Sequence, residues 1–208
     1  MKIGLIGAGS IGGTLARLFA RAGHDVAVSN SRGPDTLRDL EAELGERGRA
    51  VTAQEAAEFG DVVVVSVPFG RYREVPVEGM AGKTVIDTNN YYPVRDGDFE
   101  ELDEDRTTSS ELLQAHLHGA HVVKAFNAIY YVKLGHAGRP AGEAGRLGIP
   151  ISGDDADAKR EVAGLIDQIG FDAVDAGPLG EGGRLHQPGT AVYGQLLTAA
   201  QIRDAFTG

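Results

Sequence analysis

Apolar residues follow two rhythms along this chain, and the alternation between them predicts its architecture. Lys2–Ile6, Asp25–Ser29, Asp61–Val67, Lys83–Thr88 and His121–Phe126 are short, largely apolar runs. That is the pattern of strands covered on both faces, and it is clearest in the continuous valines of Asp61–Val67. Between these runs the apolar positions recur every three or four residues. Ile11, Leu15, Leu18 and Ala22 form one stripe with Phe19 beside it, and Leu37, Leu40 and Leu44 form another within Asp35–Glu46. Each stripe is the core-facing side of an amphipathic helix. Arg49–Thr52 reads as a short third strand, Ala53–Phe59 as a short helix, and Ser110–Leu117 as a further helix. Strands alternating with helices predict a parallel sheet with helices on both faces and a ligand beyond the strands' carboxyl ends.

The second half is less regular. Gly148–Ser152 leads to a helix over Asp154–Ile169, with Val162, Leu165, Ile166 and Ile169 as its apolar face. Asp172–Asp175 is a last short strand, Gly177–Gly183 a loop, and Gly189–Phe206 a closing helix. The Gly/Ala-rich stretch Pro140–Gly145 suits a hinge or a mobile contact. The expected division is one larger domain over 1–135 and a small C-terminal α/β extension over 136–208, packed on the same doubly wound sheet.

The first thirty-two residues say what the ligand is. Gly7-Ala8-Gly9-Ser10-Ile11-Gly12 follows a strand and opens a helix, which is the context that gives a G-x-G-x-x-G motif its meaning. Gly7 allows the tight turn, Gly9 lets the backbone approach a pyrophosphate, and Gly12 lets the helix lie close to the strand. The helix N-terminus near Ser10 and Ile11 offers unpaired N–H groups and partial positive charge to phosphates. A pocket for NAD places an acid at the end of the second strand, to bind the ribose 2′-hydroxyl. Here that place holds Ser29-Asn30-Ser31-Arg32, small polar groups and a cation that suit the 2′-phosphate of NADP(H).

Composition narrows the partners. The net charge of −10 argues against nucleic acid or an anionic membrane as a partner. The anionic cofactor must then be met by local cations and backbone donors. With no cysteine the chain has neither disulfides nor thiolate-held metals. The apolar N-terminal run is broken by glycines and arginines, so it is expected to be strand and helix rather than a signal peptide, and the protein to be cytoplasmic. Asp96–Arg106, a dense run of charge, is a solvated loop or a frayed helix.

Three strand ends should face the nicotinamide: Val67-Pro68-Phe69, Asn89-Asn90 and Lys124-Ala125-Phe126-Asn127. Val67, Pro68, Asn89 and Ala125 are candidates to line the cofactor. Phe69 either walls a ring or sits in the core. Asn89 and Asn127 either bind a carboxamide or flat polar ring, or cap strand ends. Lys124 lies within its strand and is free to point away. Other patterns fail. Gly82-Lys83-Thr84 lacks the glycine a phosphate loop needs at Val77, Tyr130 and Lys133 are three apart rather than four, and His116, His118 and His121 straddle a helix end and a strand start. With no evident nucleophile, metal site or proton relay, the chain fits hydride transfer between two stacked rings, where the cofactors supply the chemistry.

These segments, with D-V-V-V-V-S-V-P, V-I-D-T-N-N, V-K-A-F-N, G-D-D-A-D-A-K and D-A-G-P-L, resemble the F420-dependent NADP oxidoreductase family. They are also similar to the NADPH-binding domain of membrane ferric reductases. The resemblance implies a Rossmann domain with a small extension, a homodimer, and hydride exchange between NADP(H) and the deazaflavin F420 or a related flavin. It implies that Ser10, Ile11, Ser31 and Arg32 hold the phosphates, that Val67 and Pro68 line the path to the nicotinamide, and that Asn127 borders the stacked rings. Two other readings stay open: an NADPH-dependent reductase of a small imine or ketone, and a non-catalytic NADP(H) sensor.

Overall fold

A computed structural model of the chain describes residues Met1–Thr207. In chain order the elements are β1 (Lys2–Ile6), α1 (Ser10–Arg21), β2 (Asp25–Ser29), α2 (Arg38–Leu44), β3 (Gly48–Ala50), α3 (Ala53–Phe59), β4 (Val62–Val65) and β5 (Thr84–Asp87). There follow α4 (Pro93–Asp96), α5 (Glu100–Asp103), α6 (Ser109–His116), β6 (His121–Ala125), α7 (Tyr131–His136), β7 (Gly148–Gly153), α8 (Ala156–Gln168), β8 (Asp172–Asp175), α9 (Leu179–Arg184) and α10 (Ala199–Thr207). All eight strands form one sheet in the order β3-β2-β1-β4-β5-β6-β7-β8. The strand order reverses between β1 and β4, the crevice where α/β sheets of this kind bind ligands.

Burial follows the alternation of strand side chains. Along β4, Val62 and Val64 belong to the core on one face and Val63 and Val65 to the core on the other. The first core also takes Leu15 and Phe19 of α1 and Val162, Leu165 and Ile166 of α8. The second takes Ala56 and Ala57 of α3 and Leu113 of α6. Both faces of the sheet are thus closed by apolar helix stripes, as a parallel sheet requires.

Several expectations need correction. The sheet is not wholly parallel, because β7 pairs antiparallel with β6. Residues 126–147 join the two strands through the six-residue α7, and the chain re-enters the sheet in the opposite direction. The stretch expected as one helix over Asp35–Glu46 is a 3₁₀ turn, α2 and a second 3₁₀ turn, with Gly45 at positive φ ending α2. Gly177–Gly183 is not all loop, since α9 occupies most of it. A Cβ at Gly182 would stand 2.9 Å from Ser152 Cβ on β7, so its glycine serves close packing on that strand. The closing helix begins only at Ala199, because Gly189 and Gly194 both have positive φ. The charged run 96–106 is the expected solvated segment with the short α5 inside it, and Phe99 anchors it against Phe69 at 5.2 Å between ring centroids. Among the described residues no helix is long and apolar enough to cross a membrane.

Candidate functional site

Two cavities open at the carboxyl ends of β1 and β4 and share a wall of Gly9, Ser66, Val67 and Pro68. Together they make one groove across the crevice. The smaller, of about 290 Å³, runs from Gly7 to Ser29-Asn30-Ser31-Arg32 and is closed by Arg71, Glu74 and Val75. The larger, of about 480 Å³, runs from Ser10 and Ile11 past Asn89 and Asn90 to Asn127, Tyr92 and Tyr193.

The glycines explain the groove's shape. Gly7 has φ +102°, and a Cβ there would lie 2.1 Å from the Ser66 carbonyl oxygen. A Cβ at Gly12 would lie 1.9 Å from the Gly7 carbonyl oxygen, so this glycine sets how closely α1 meets the turn. Gly9 differs: nothing lies within 4 Å of its Cβ position. Its φ of −75° and ψ of −161° suit any residue, so its lack of a side chain serves the space in the groove and not the chain. Gly9 also caps α1 without a side-chain acceptor, whereas Thr52, Thr108 and Asp155 cap α3, α6 and α8 through their oxygens. The first N–H groups of α1 are therefore left to a ligand.

At the far end of the smaller cavity the polar residues divide by task. The Ser29 hydroxyl donates to the Leu5 carbonyl at 2.9 Å and is fully buried. The Asn30 amide donates to Thr36 Oγ1, and its oxygen accepts the Arg32 N–H, each at 2.9 Å. These two residues build the loop, and Ser31 and Arg32 stand exposed at its rim.

The larger cavity is backed by two hydrogen-bonded layers. Asn90 and Asn127 form a reciprocal pair: Asn90 Nδ2 donates to the Asn127 carbonyl at 2.9 Å, and Asn127 Nδ2 donates to Asn90 Oδ1 at 3.1 Å. Asn127 Nδ2 also donates to the His186 carbonyl at 2.8 Å, and Asn127 Oδ1 meets His186 Nδ1 at 2.9 Å. That oxygen must accept, so His186 carries its proton on Nδ1, and Nε2 accepts from Ser152 Oγ at 3.1 Å. Burial, with the nearby Lys124 charge, lowers the His186 pKa to about 3 and keeps the ring neutral. Asn127 therefore borders the cavity with its amide donors spent on the protein.

Beneath Asn89 lies the second layer. Lys124, fully buried, donates to the Asn89 carbonyl at 3.0 Å and to Ser110 Oγ at 2.9 Å, with Asp87 at 3.7 Å. Burial lowers the Lys124 pKa, and the Asp87 carboxylate opposes that shift. Asp87 Oδ1 accepts the Asn89 N–H, and Asn89 Oδ1 accepts the Val67 N–H. Three groups of Asn89 are fixed, yet its Nδ2 is the buried side-chain polar atom without a partner among the described residues. A ligand acceptor in the cavity would satisfy it. Phe126, between Lys124 and Asn127, holds φ +62°, a strained turn for a side chain of its size, and it swings the chain from β6 into the cavity wall.

Of the candidates from sequence, Gly7, Gly9, Ser10, Ile11, Ser29, Asn30, Ser31, Arg32, Val67, Pro68, Asn89 and Asn127 all line the groove. Gly12 shapes it from behind. Phe69 and Ala125 do not reach it. Phe69 is fully buried and stacked on Tyr72 at 4.8 Å, and Ala125 points into the core on the α1 side. An apolar residue at a strand end can face either way, and here packing took both. Sequence reasoning missed Tyr92, Arg95, Tyr131 and Tyr193, which line the larger cavity, and gave Tyr130 no place there. Four of the six tyrosines of the chain meet in it. The signal for Tyr92 was available, two residues beyond Asn90. Tyr193 arrives from 101 positions away.

The groove offers a dinucleotide three things. Gly9 leaves open the space a bound backbone would fill, α1 keeps its N–H groups free, and Asn89 keeps a buried donor. The residues fit.

Comparison with known proteins agrees. Residues 2–91 match the model of the family described as NADP oxidoreductase, coenzyme F420-dependent. A hypothetical protein from Sinorhizobium meliloti is 32% identical, with a TM-score of 0.82 over 95% of each chain. A protein from Arthrobacter sp. FB24, assigned as an F420-dependent NADP reductase, is 27% identical with a TM-score of 0.72 over 86% of each chain. An imine reductase from Myxococcus stipitatus, solved with NAD+, shares the fold at 16% identity and a TM-score of 0.62, over 89% of this chain and 58% of that one. Among curated proteins none matches.

Proposed function

This chain belongs to the F420-dependent NADP oxidoreductase family, and from that premise we propose that it passes a hydride between NADP(H) and a planar ring acceptor, F420 or a related flavin, stacked in the larger cavity. As a member it is an NADP-dependent oxidoreductase; the acceptor and the residue roles are our reading. The observation that carries it is the continuous groove with two unlike ends. One end offers Ser31 and Arg32 with no acid at the end of β2. The other is a larger cavity walled by four tyrosines.

The phosphates would meet the free N–H groups of α1 across Gly9, where helix-end charge favours anions. Ser31 and Arg32 would take the 2′-phosphate. Val67 and Pro68, on the shared wall, would guide the chain of the cofactor from one cavity to the other. Asn89 Nδ2 would donate to the nicotinamide end, held in place by Val67, Asp87 and Lys124. When bound, the nicotinamide supplies the hydride chemistry itself. The protein's part is to hold two rings in register and keep water from between them, and proximity of this kind is worth about 7–11 kcal/mol of barrier. The tyrosines supply flat walls that suit a conjugated ring.

The large cavity also admits a small imine or ketone, the second reading, which the polar Tyr92–Tyr193 edge favours. The test is NADPH oxidation followed optically with F420, FMN and a cyclic imine offered separately, and with NADH as the control. Turnover with F420 or FMN and NADPH is expected. Turnover with the imine alone would replace the proposal with the second reading, and silence with all three would overturn both.

A further inference from the structure

The 3₁₀ helix Phe69–Glu74 follows β4 and supplies part of the wall of the smaller cavity. In a 3₁₀ helix, side chains three apart lie over one another, and this helix makes two such pairs. Phe69 and Tyr72 are buried and stack at 4.8 Å, with 8° between their planes. Arg71 and Glu74 line the cavity as a half-exposed ion pair. Arg71 Nε donates to both Glu74 oxygens at 3.0 Å, and Nη2 donates to Oε2. The stacked rings anchor the helix in the core. Gly70 anchors it elsewhere, since a Cβ there would stand 2.7 Å from the Asp96 carbonyl oxygen. The cavity thus receives its guanidinium from a backbone that is held in place.

The chemistry of the pair says what it can hold. Arg71 is bound along one edge by a carboxylate, so the pair has no net charge, and Glu74 would repel a phosphate brought to that edge. The hydrogen bond from Arg71 holds the Glu74 carboxyl below the usual carboxylate range, so it stays ionised at neutral pH. What is left for a ligand is the flat face of the guanidinium, and guanidinium planes stack on conjugated rings. No aromatic ring of the described residues covers that face. Its neighbours in the cavity wall include Val67, Pro68 and Val75, an apolar setting that suits a base. Arg32 differs. It stands exposed on the loop after β2, across β1 from the β4 side of the sheet, with Ser31 beside it. We propose that Arg71 is the platform on which the adenine of the dinucleotide stacks, with Glu74 as the positioning residue that holds its plane. This rests on the placement of NADP(H) in the groove, and it divides the two arginines of the smaller cavity: Arg32 reads the 2′-phosphate and Arg71 the base.

The test is calorimetric titration of wild type and variants with NADPH, NADH and reduced nicotinamide mononucleotide, which lacks the adenosine. Stacking is blind to the 2′-phosphate, so Arg71→Ala should weaken NADPH and NADH by the same factor, roughly three- to thirtyfold for a cation over a ring. Arg71→Lys keeps the charge and loses the plane, and should fall nearly as far. Glu74→Ala should lose part of the same affinity, and Glu74→Gln, whose amide oxygen still accepts from Arg71, should keep it. The mononucleotide should bind every variant as it binds wild type, and melting temperatures should stay within about 2 °C, since both side chains are at the surface. Wild-type affinity in Arg71→Ala, full rescue by Arg71→Lys, or a loss confined to NADPH would overturn the platform and leave the cofactor reading standing. So would a loss shared by the mononucleotide. Wild-type affinity in Glu74→Ala would overturn the positioning role. A wild type that binds no NADPH would overturn the cofactor reading and the platform together.

Discussion

Gly9→Ala and Gly12→Ala are one methyl group each, three residues apart, and the structure predicts opposite consequences. At Gly12 the new carbon would sit 1.9 Å from the Gly7 carbonyl oxygen. Nothing there can yield except the turn itself or the approach of α1 to β1. Overpacking of a rigid contact costs about 1–3 kcal/mol and occasionally more, and for a chain of this size each kcal/mol lowers the melting temperature by roughly 2–4 °C. Gly12→Ala should therefore melt several degrees lower. At Gly9 the new carbon meets nothing within 4 Å, and the backbone there is extended. Removing glycine's freedom in the unfolded chain stabilises by about 0.4–1 kcal/mol, so Gly9→Ala should melt at or slightly above the wild-type temperature. Its effect falls on the ligand. The methyl occupies the path of the pyrophosphate and holds it off the α1 N–H groups. Charge-assisted hydrogen bonds of that kind are worth about 1.5–3 kcal/mol each, so losing one or more weakens binding by roughly ten- to over a hundredfold. The assay is thermal unfolding beside fluorescence titration with NADPH. Wild-type affinity in a stable Gly9→Ala would refute the placement of the dinucleotide in this groove.

Two further outcomes are expected. Arg32→Ala should weaken NADPH by about ten- to a hundredfold and leave NADH nearly unchanged, since it removes one charged contact to the 2′-phosphate; equal losses for both in a titration would sink that role. His186 sets a pH dependence. Its folded pKa of about 3 lies below the unfolded value of 6.5, so the unfolded chain binds more protons between those pH values and stability falls as pH drops through that window. From pH 7 to pH 5 the loss is about 2 kcal/mol, and His186→Gln should flatten that slope in melting curves; an unchanged slope would show that His186 does not remain neutral and buried.

The dinucleotide half of the fold was legible because local rules agree there. The valines of β4, the stripe of α1 and the spacing of Gly7, Gly9 and Gly12 each require only nearby residues. The smaller cavity came with them, since Ser29–Arg32 follows directly on β2. The larger cavity was not legible. Tyr193 and His186 reach it from a segment whose conformation depends on Gly189 and Gly194, and nothing in their own neighbourhood marks them. Asn127 was found by position, but its donors turn out to be spent on Asn90 and His186, and only the hydrogen-bond network reveals that. Phe69 and Ala125 sit at strand ends where alternation alone does not say which face wins. The glycines of α9 read as loop because their packing partner, β7, is distant in sequence. Sequence pattern thus reported the first cavity and missed the long-range contacts that build the second.

The most direct measurement carries deuterium at the transferring position of the nicotinamide of NADPH and follows it into reduced F420. If the two rings stack in this groove, the label from one face of the nicotinamide appears on the accepting carbon of the deazaflavin, and NADH gives far less transfer. Reduced F420 without label, or no reduction at all in a protein that binds NADPH, would contradict the account.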